Sequence, residues 1–224
     1  MYEEHIQKSF ADACNDISNI DSNILKMSGM SGRRTKHFYN NLCSLDDVNY
    51  LEIGTYSGSS LCSALSNNNV NAHVIDNWSR WNATEARKLF LERYPLYQGN
   101  SSVTVHEACC WETANSWKAT GEYNNMFNIY LFDGPHDYED HYNALAEYIH
   151  VLSDNFIFLV DDWNWLRVRK GTCDAIRDLN LEILYTSHHR TGPKRCQKNN
   201  RQPYLHGRSS RWHNGIGVFE LKKT

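Results

Sequence analysis

Four apolar runs of the chain end on acids, and acids so placed can hold a sugar, a cation or a proton. In YLEIGTYSGSSL, residues 50–61, Glu52 closes an apolar run and Gly54 and Gly58 follow it. HVIDNW, residues 73–78, reaches Asp76. IYLFDGPHDYED, residues 129–140, reaches Asp133, with His136 just beyond. FIFLVDDWNW, residues 156–165, reaches the pair Asp161–Asp162. A buried carboxylate is costly without a partner. Asp76 is placed to accept hydrogen bonds from ribose hydroxyls, as the acid of dinucleotide-binding folds does. Glu52 stands where the dinucleotide fingerprint has its first glycine, so the spacing is E-x-G-x-x-x-G. An acid there repels a pyrophosphate and suits a cationic ligand. Gly54 and Gly58 leave room for a ligand to approach the backbone, and Ser59 or Ser60 can cap the helix that follows.

The second chemical group is the carboxylate cluster. If the runs ending at Asp133 and Asp161 are adjacent strands, about 5 Å separates them. Three carboxylates that close hold protons unless a cation neutralises them. An all-oxygen set suits Mg²⁺, Mn²⁺ or Ca²⁺. His136, with an ordinary pKa near 6.5, fits a general base; it equally fits a capping histidine ahead of a helix. Asp161–Asp162 also reads as a helix-capping pair in a loop.

These residues need a scaffold that brings strand ends together. Apolar runs at 49–53, 73–75, 103–106, 128–132, 156–160, 181–185 and 216–221 alternate with helical stretches at 59–65, 84–94, 110–119, 138–152 and 167–179. Most runs are continuous, as in strands covered on both faces. The pattern predicts an α/β, Rossmann-like, doubly wound seven-stranded sheet, mainly parallel, with helices on both faces. A long polar loop joins the last two runs, which predicts an antiparallel last strand. Ligands of such sheets bind at the carboxyl ends of the strands. Residues 1–45 read as an N-terminal helical cap, with Ile17, Ile20, Ile24 and Leu25 in its helices and MSGMSGRR, residues 27–34, feeding a helix through Phe38 and Leu42. Residues 46–224 form the main domain, with a basic loop at 186–213.

The totals narrow the class. The chain has 224 residues, 41% hydrophobic and 22% charged, which suits one folded domain with small additions. A net charge of −3 gives no global basic field, so nucleic acid is a disfavoured partner. No run is long enough to span a membrane, and MYEEHIQKSF is too polar for a signal peptide. Seven cysteines without CxxC spacing fit reduced thiols in a cytoplasmic protein.

YLEIGTYSGSS followed by HVIDNW resembles motif I and the strand-two acid of class I S-adenosylmethionine (SAM)-dependent methyltransferases. The resemblance covers roughly residues 28–224. It implies that Glu52 and the loop of Gly54, Thr55, Tyr56, Gly58, Ser59 and Ser60 hold the methionyl part, with Glu52 serving the cofactor's amino group directly or through its network. It implies that Asp76, Asn77 and Trp78 serve the ribose end, that Cys109 in HEACCW flanks the adenine, and that Asp133 borders the cofactor. Cys109 and Cys110 otherwise read as small buried hydrophobes. The N-terminal segment would close over the cofactor, hinged at Gly29 and Gly32.

DGPH and DDW resemble the metal-dependent small-molecule O-methyltransferases, especially the macrocin O-methyltransferase-like branch acting on sugar hydroxyls. That implies a divalent cation, Mg²⁺ or Mn²⁺, on Asp133, Asp161 and Asp162, binding the acceptor's hydroxyls and lowering the pKa of the one attacked. Relatives carry a second acid two residues after the first; here that position is Pro135, which leaves His136 as base and Asp133 beside it as the catalytic pair. Trp78, Trp81, Trp163 and Trp165 follow strand ends, where they could stack on a sugar or simply pack. The stretch 190–211 is rich in Lys and Arg without an acid, which reads as a solvated loop or as a lid favouring an anionic acceptor. The expected partner is a small-molecule or glycan acceptor, with homo-oligomerisation left open. Two other readings use the same residues: a metal-assisted hydrolase or hydroxylase-like relative, and a non-catalytic SAM-binding partner subunit.

Overall fold

A computed structural model describes residues 2–191 and 211–224. Its strands are β1 (Val48–Ile53), β2 (Val70–Ile75), β3 (Ser102–His106), β4 (Phe127–Phe132), β5 (Leu152–Val160), β6 (Glu182–His189) and β7 (Ile216–Lys222). They form one sheet in the order β3-β2-β1-β4-β5-β7-β6. The first five are parallel, and β7 runs antiparallel between β5 and β6. The fold is the seven-stranded, mainly parallel sheet that the apolar runs predict.

The helices are α1 (Glu3–Cys14), α2 (Ser22–Lys26), α3 (Arg33–Leu42), α4 (Ser59–Leu65), α5 (Ala83–Tyr97), α6 (Cys110–Thr120), α7 (Tyr138–Ala146) and α8 (Leu166–Asp178). Side chains alternate faces along each strand. Tyr50, Ala72, Ile129 and Ile157 therefore join one core with Ile6, Phe38, Leu61 and Phe90. Leu51, Ile53, Phe132 and Phe158 join the other with Ala114, Leu145, Val168 and Ile176. Burial on both faces is why β1, β2 and β4 are apolar nearly throughout. Residues of α1 and α3 share the first core with the sheet. No described helix is long and apolar enough to cross a membrane.

Two helical expectations are corrected. Ile17 and Ile20 lie outside a helix, because α1 stops at Cys14 and Asp16 turns to φ +57°. The stretch expected as one helix over 138–152 ends at Ala146; a turn closed by Val151 N–H donating to Tyr148 O (3.0 Å) leads into β5. Of the basic loop expected at 186–213, the start lies in β6, and residues 192–210 lie outside the described residues.

The sheet register places the acids. Ile53 pairs with Ile75 and Phe132, and Phe132 pairs with Val160. The next residue of each strand extends the ladder: Gly54 N–H donates to Ile75 O (2.9 Å), Asp133 N–H to Ile53 O (2.9 Å) and Asp161 N–H to Phe132 O (3.3 Å). Gly54, Asp76, Asp133 and Asp161 thus form one row along the carboxyl edge.

Candidate active site

A cavity of about 290 Å³ opens at that edge. Gly54, Tyr56, Asp76, Asn77, Trp78, Cys109, Asp133 and His136, all singled out from the sequence, line it. Arg80, Trp111 and Met30 line it too; Trp111 lies in the segment expected at the adenine and Met30 in the one expected to close over the cofactor, whereas nothing in the sequence marked Arg80. Glu52, Thr55, Gly58, Ser59 and Ser60 stand behind the wall.

Glu52 is fully buried, and its partners belong to the chain itself. Its oxygens accept from Tyr50 Oη (2.8 Å) and Ser60 Oγ (2.6 Å). Burial pushes its carboxyl up to about 7, against the pull of those hydroxyls. Ser60 is therefore committed to Glu52, and neither serine caps α4; the N-cap is Gly58, at φ +82° with no side-chain hydrogen bond. The expected room for a ligand at the two glycines is filled by protein. A Cβ on Gly54, at φ +87°, would lie 2.0 Å from Asp133 O, and one on Gly58 would lie 3.1 Å from the Phe90 ring. Gly54 lets the loop after β1 pass against the backbone after β4, while its own backbone still borders the cavity. Gly29 and Gly32 are likewise filled, by Ser59 and by the backbone at Arg211.

Asp76 accepts from the backbone N–H of Tyr56 (2.8 Å) and of Trp78 (2.7 Å). It ties the β1 loop to the β2 loop while facing the cavity. Trp78 Nε1 donates to Tyr56 O (2.7 Å), which fixes its ring on the wall. Trp81 is 69% exposed at the cavity rim. Trp163 is corrected: it is buried against Phe219 and His188, so it packs rather than meets a ligand. Cys109 and Cys110 are half-buried on the cavity wall, and burial pushes the Cys110 thiol up to about 12.

At the other end, Asp133 borders the cavity and Asp161 and Asp162 lie behind it. Burial first, and then the neighbouring acids, hold the Asp133 and Asp161 carboxyls well above the usual carboxylate range. Asp161 and Asp162 are each only 6% exposed, and one oxygen of each, Oδ1, has no hydrogen-bond partner among the described residues. Orphaned buried carboxylate oxygens are what a cation site needs. The three-residue group that converges among the described residues differs from the expected one, although Asp133 hydrogen-bonds Asp161. Ligand atoms of Asp161, Asp162 and His213 lie within 4.8 Å of one another, and Asp133 is not in that group.

His136 Nε2 stands 3.3 Å from Asp162 Oδ2, and His136 Nδ1 is buried without a partner among the described residues. Burial lowers the imidazole pKa, opposed by Asp162, so the ring is neutral near pH 7. With Nε2 donating to Asp162 Oδ2, Nδ1 keeps the lone pair of the neutral ring. Trp165 meets the ring edge-on at 5.3 Å.

A doubly wound sheet with this cavity at its carboxyl edge, an acid-and-glycine loop after β1 and a second acid after β2 is the arrangement of an α/β protein whose ligand site lies at the strand ends. Within that class, the chain belongs to the family described as methyltransferase domain, whose model matches residues 51–163. No curated protein matches it. Solved structures share its fold at low identity. A candidate SAM-dependent methyltransferase from Streptococcus mutans is 13% identical with a TM-score of 0.57, over 85% of this chain and 48% of that one. This chain thus spans about half the length of that protein. An O-methyltransferase from Bacillus cereus in complex with S-adenosylhomocysteine (SAH) is 10% identical, TM-score 0.55, over 98% and 91%. Cofactor-bound Rv0187 from MTB is 12% identical, TM-score 0.54, over 99% and 91%.

Proposed function

We propose that the chain is a SAM-dependent O-methyltransferase that uses a divalent cation and acts on a hydroxyl of a sugar or related small molecule. The observation that carries this is the single cavity lined by Asp76, Asp133 and His136, with the acid pair behind Asp133. Asp76 accepts the ribose hydroxyls, and the wall of Trp78, Cys109 and Trp111 takes the adenine. Glu52 acts through Ser60 and Tyr50 by holding the loop, not by direct contact. SAM supplies an electrophilic methyl group, and a divalent cation supplies Lewis acidity toward hydroxyl oxygens. The chain's own part is to orient and to move a proton. Asp133 borders both subsites, and His136, held by Asp162, accepts the acceptor's proton. The lone pair sits on the covered nitrogen, so the ring must turn or shift for that step. The exposed ring of Trp81, beside Arg80, supports a glycosidic or anionic acceptor.

The test is a calorimetric titration of SAM into the full chain with and without chelator, followed by SAH formation from a panel of glycosides. SAM binding that survives chelation, with SAH formation that does not, is the expected result. Absence of SAM binding in any condition overturns the cofactor assignment. SAH formation indifferent to chelator removes the cation.

A further inference from the structure

The convergence of Asp161, Asp162 and His213 brings together residues from two separate parts of the chain. Asp161 and Asp162 follow β5. His213 lies in the turn before β7, and the two segments are joined by backbone. Asn164 N–H donates to Asn214 O (3.0 Å), and Trp163 N–H to Gly215 O (3.3 Å). Thr191 Oγ1 donates to His213 O (2.8 Å), and Arg169 Nη1 donates to the carbonyls of Trp163 and Asn164 (2.7 and 2.6 Å). Beneath His213, Trp212 is buried, stacked on His189 with ring centroids 4.6 Å apart. Asp162 at φ +54° and His213 at φ +50° both take the left-handed conformation, which His and Asp visit more readily than most residues. The imidazole is therefore carried by a clamped turn and delivered to the acid pair.

We propose that His213 ligates a divalent transition-metal ion together with Asp161 and Asp162. The inference rests on the cation-dependent reading above and names the ligands and the metal class that reading leaves open. Two ligand atoms on one first-row ion, with bonds of about 2.0–2.2 Å, stand at most about 4.4 Å apart. A group within 4.8 Å needs only a small closure to hold one. The two carboxylates supply the orphaned oxygens, Asp161 Oδ1 and Asp162 Oδ1. The other oxygen of Asp162 faces His136, the outer contact that orients a ligating carboxylate. An imidazole changes the preference of the site. Mg²⁺ and Ca²⁺ favour all-oxygen sets, whereas nitrogen donors favour ions later in the first row. Asp133 lies outside the group; its side chain hydrogen-bonds Asp161 and borders the cavity.

The test uses the full chain stripped of metal, with Co²⁺ and Mg²⁺ alone as probes. Calorimetry gives the affinities, and the visible absorption of bound Co²⁺ reports on nitrogen donation. Wild type should bind Co²⁺ roughly a hundredfold more tightly than Mg²⁺. His213→Asn is the preferred variant because Asn tolerates the left-handed backbone; His213→Ala accompanies it. Both should lose about tenfold or more in Co²⁺ affinity and shift the Co²⁺ spectrum, with SAM affinity and thermal midpoint unchanged. Loss in Asp161→Asn but none in either His213 variant overturns the ligand role of His213 and leaves the cation-dependent reading standing. Equal affinity of wild type for Mg²⁺ and Co²⁺ overturns the metal class. Failure of wild type to bind either ion overturns this proposal and the cation-dependent reading together.

Discussion

Glu52 illustrates how a residue can be legible in kind and illegible in role. Its acid at the end of an apolar run stands out in the sequence, but the hydroxyls that hold it come from Tyr50, two residues back on its own strand, and Ser60 on α4. Because burial raises its folded pKa from 4.5 to about 7, the fold favours the protonated form. Its contribution to stability is full below about pH 4.5 and is lost as the pH rises through about 7. Glu52→Gln removes that titration while keeping the shape. Urea unfolding at pH 5 and pH 8 should show wild type losing up to about 3 kcal/mol more than the variant over that interval. The raised carboxyls of Asp133 and Asp161 act in the same direction and remain in both proteins. Equal losses in the two would mean that Glu52 stays ionised throughout. Asp76 is the contrasting residue, since it takes two backbone N–H groups and still faces the cavity. Asp76→Ala should weaken SAM binding by about ten- to a hundredfold in a calorimetric titration, and unchanged affinity would take Asp76 out of the ribose role.

Elements were legible where one physical signal dominated. Continuous apolar runs marked the central strands because both faces of the sheet are covered there. Boundaries were harder, since apolar spacing continues past the place where backbone geometry stops a helix: at Asp16, where φ turns positive, and after Ala146, where the chain turns into β5. The pairing of α7 with α8 was not legible, because it depends on a glycine far along the chain. Gly171 of α8 lies against α7, and a Cβ there would stand 2.3 Å from Tyr138 O and 3.1 Å from His141 Cβ. The obstruction is largely backbone, so the helices would have to part. Gly171→Ala should therefore destabilise the protein by about 2 kcal/mol or more in urea unfolding, although alanine is the better helix former. A variant as stable as wild type would show that the two helices can separate freely. His213 escaped notice for a related reason: its partners lie beyond an entire helix and strand, and only the antiparallel return of β7 brings it back to Asp161 and Asp162.

On the scale of the whole chain, the N-terminal helices and the sheet are held by one core, so the boundary drawn at residue 45 does not coincide with a gap in packing. Phe10 of α1 shows how far that core reaches. Its ring stacks on Phe38 of α3 at 4.1 Å, meets His189 of β6 at 4.5 Å and meets Trp212 at 5.5 Å. Four stretches of chain, including the turn that carries His213, therefore share one aromatic cluster. Removing a buried phenylalanine ring costs about 3–5 kcal/mol, from lost transfer energy and the cavity left behind. Phe10→Ala should lose stability in that range. Because the cluster spans cap and sheet, the loss should fall on the whole protein rather than on α1 alone. Far-UV circular dichroism and tryptophan fluorescence should then report one coincident urea transition, shifted to lower denaturant in the variant. A separate early transition in circular dichroism, with the fluorescence midpoint unmoved, would mean that α1 comes away while the sheet and the turn at Trp212 stay folded. The cap would then be a docked appendage, and the site at the carboxyl edge would owe its rigidity to the sheet and the β5–β7 backbone bonds alone.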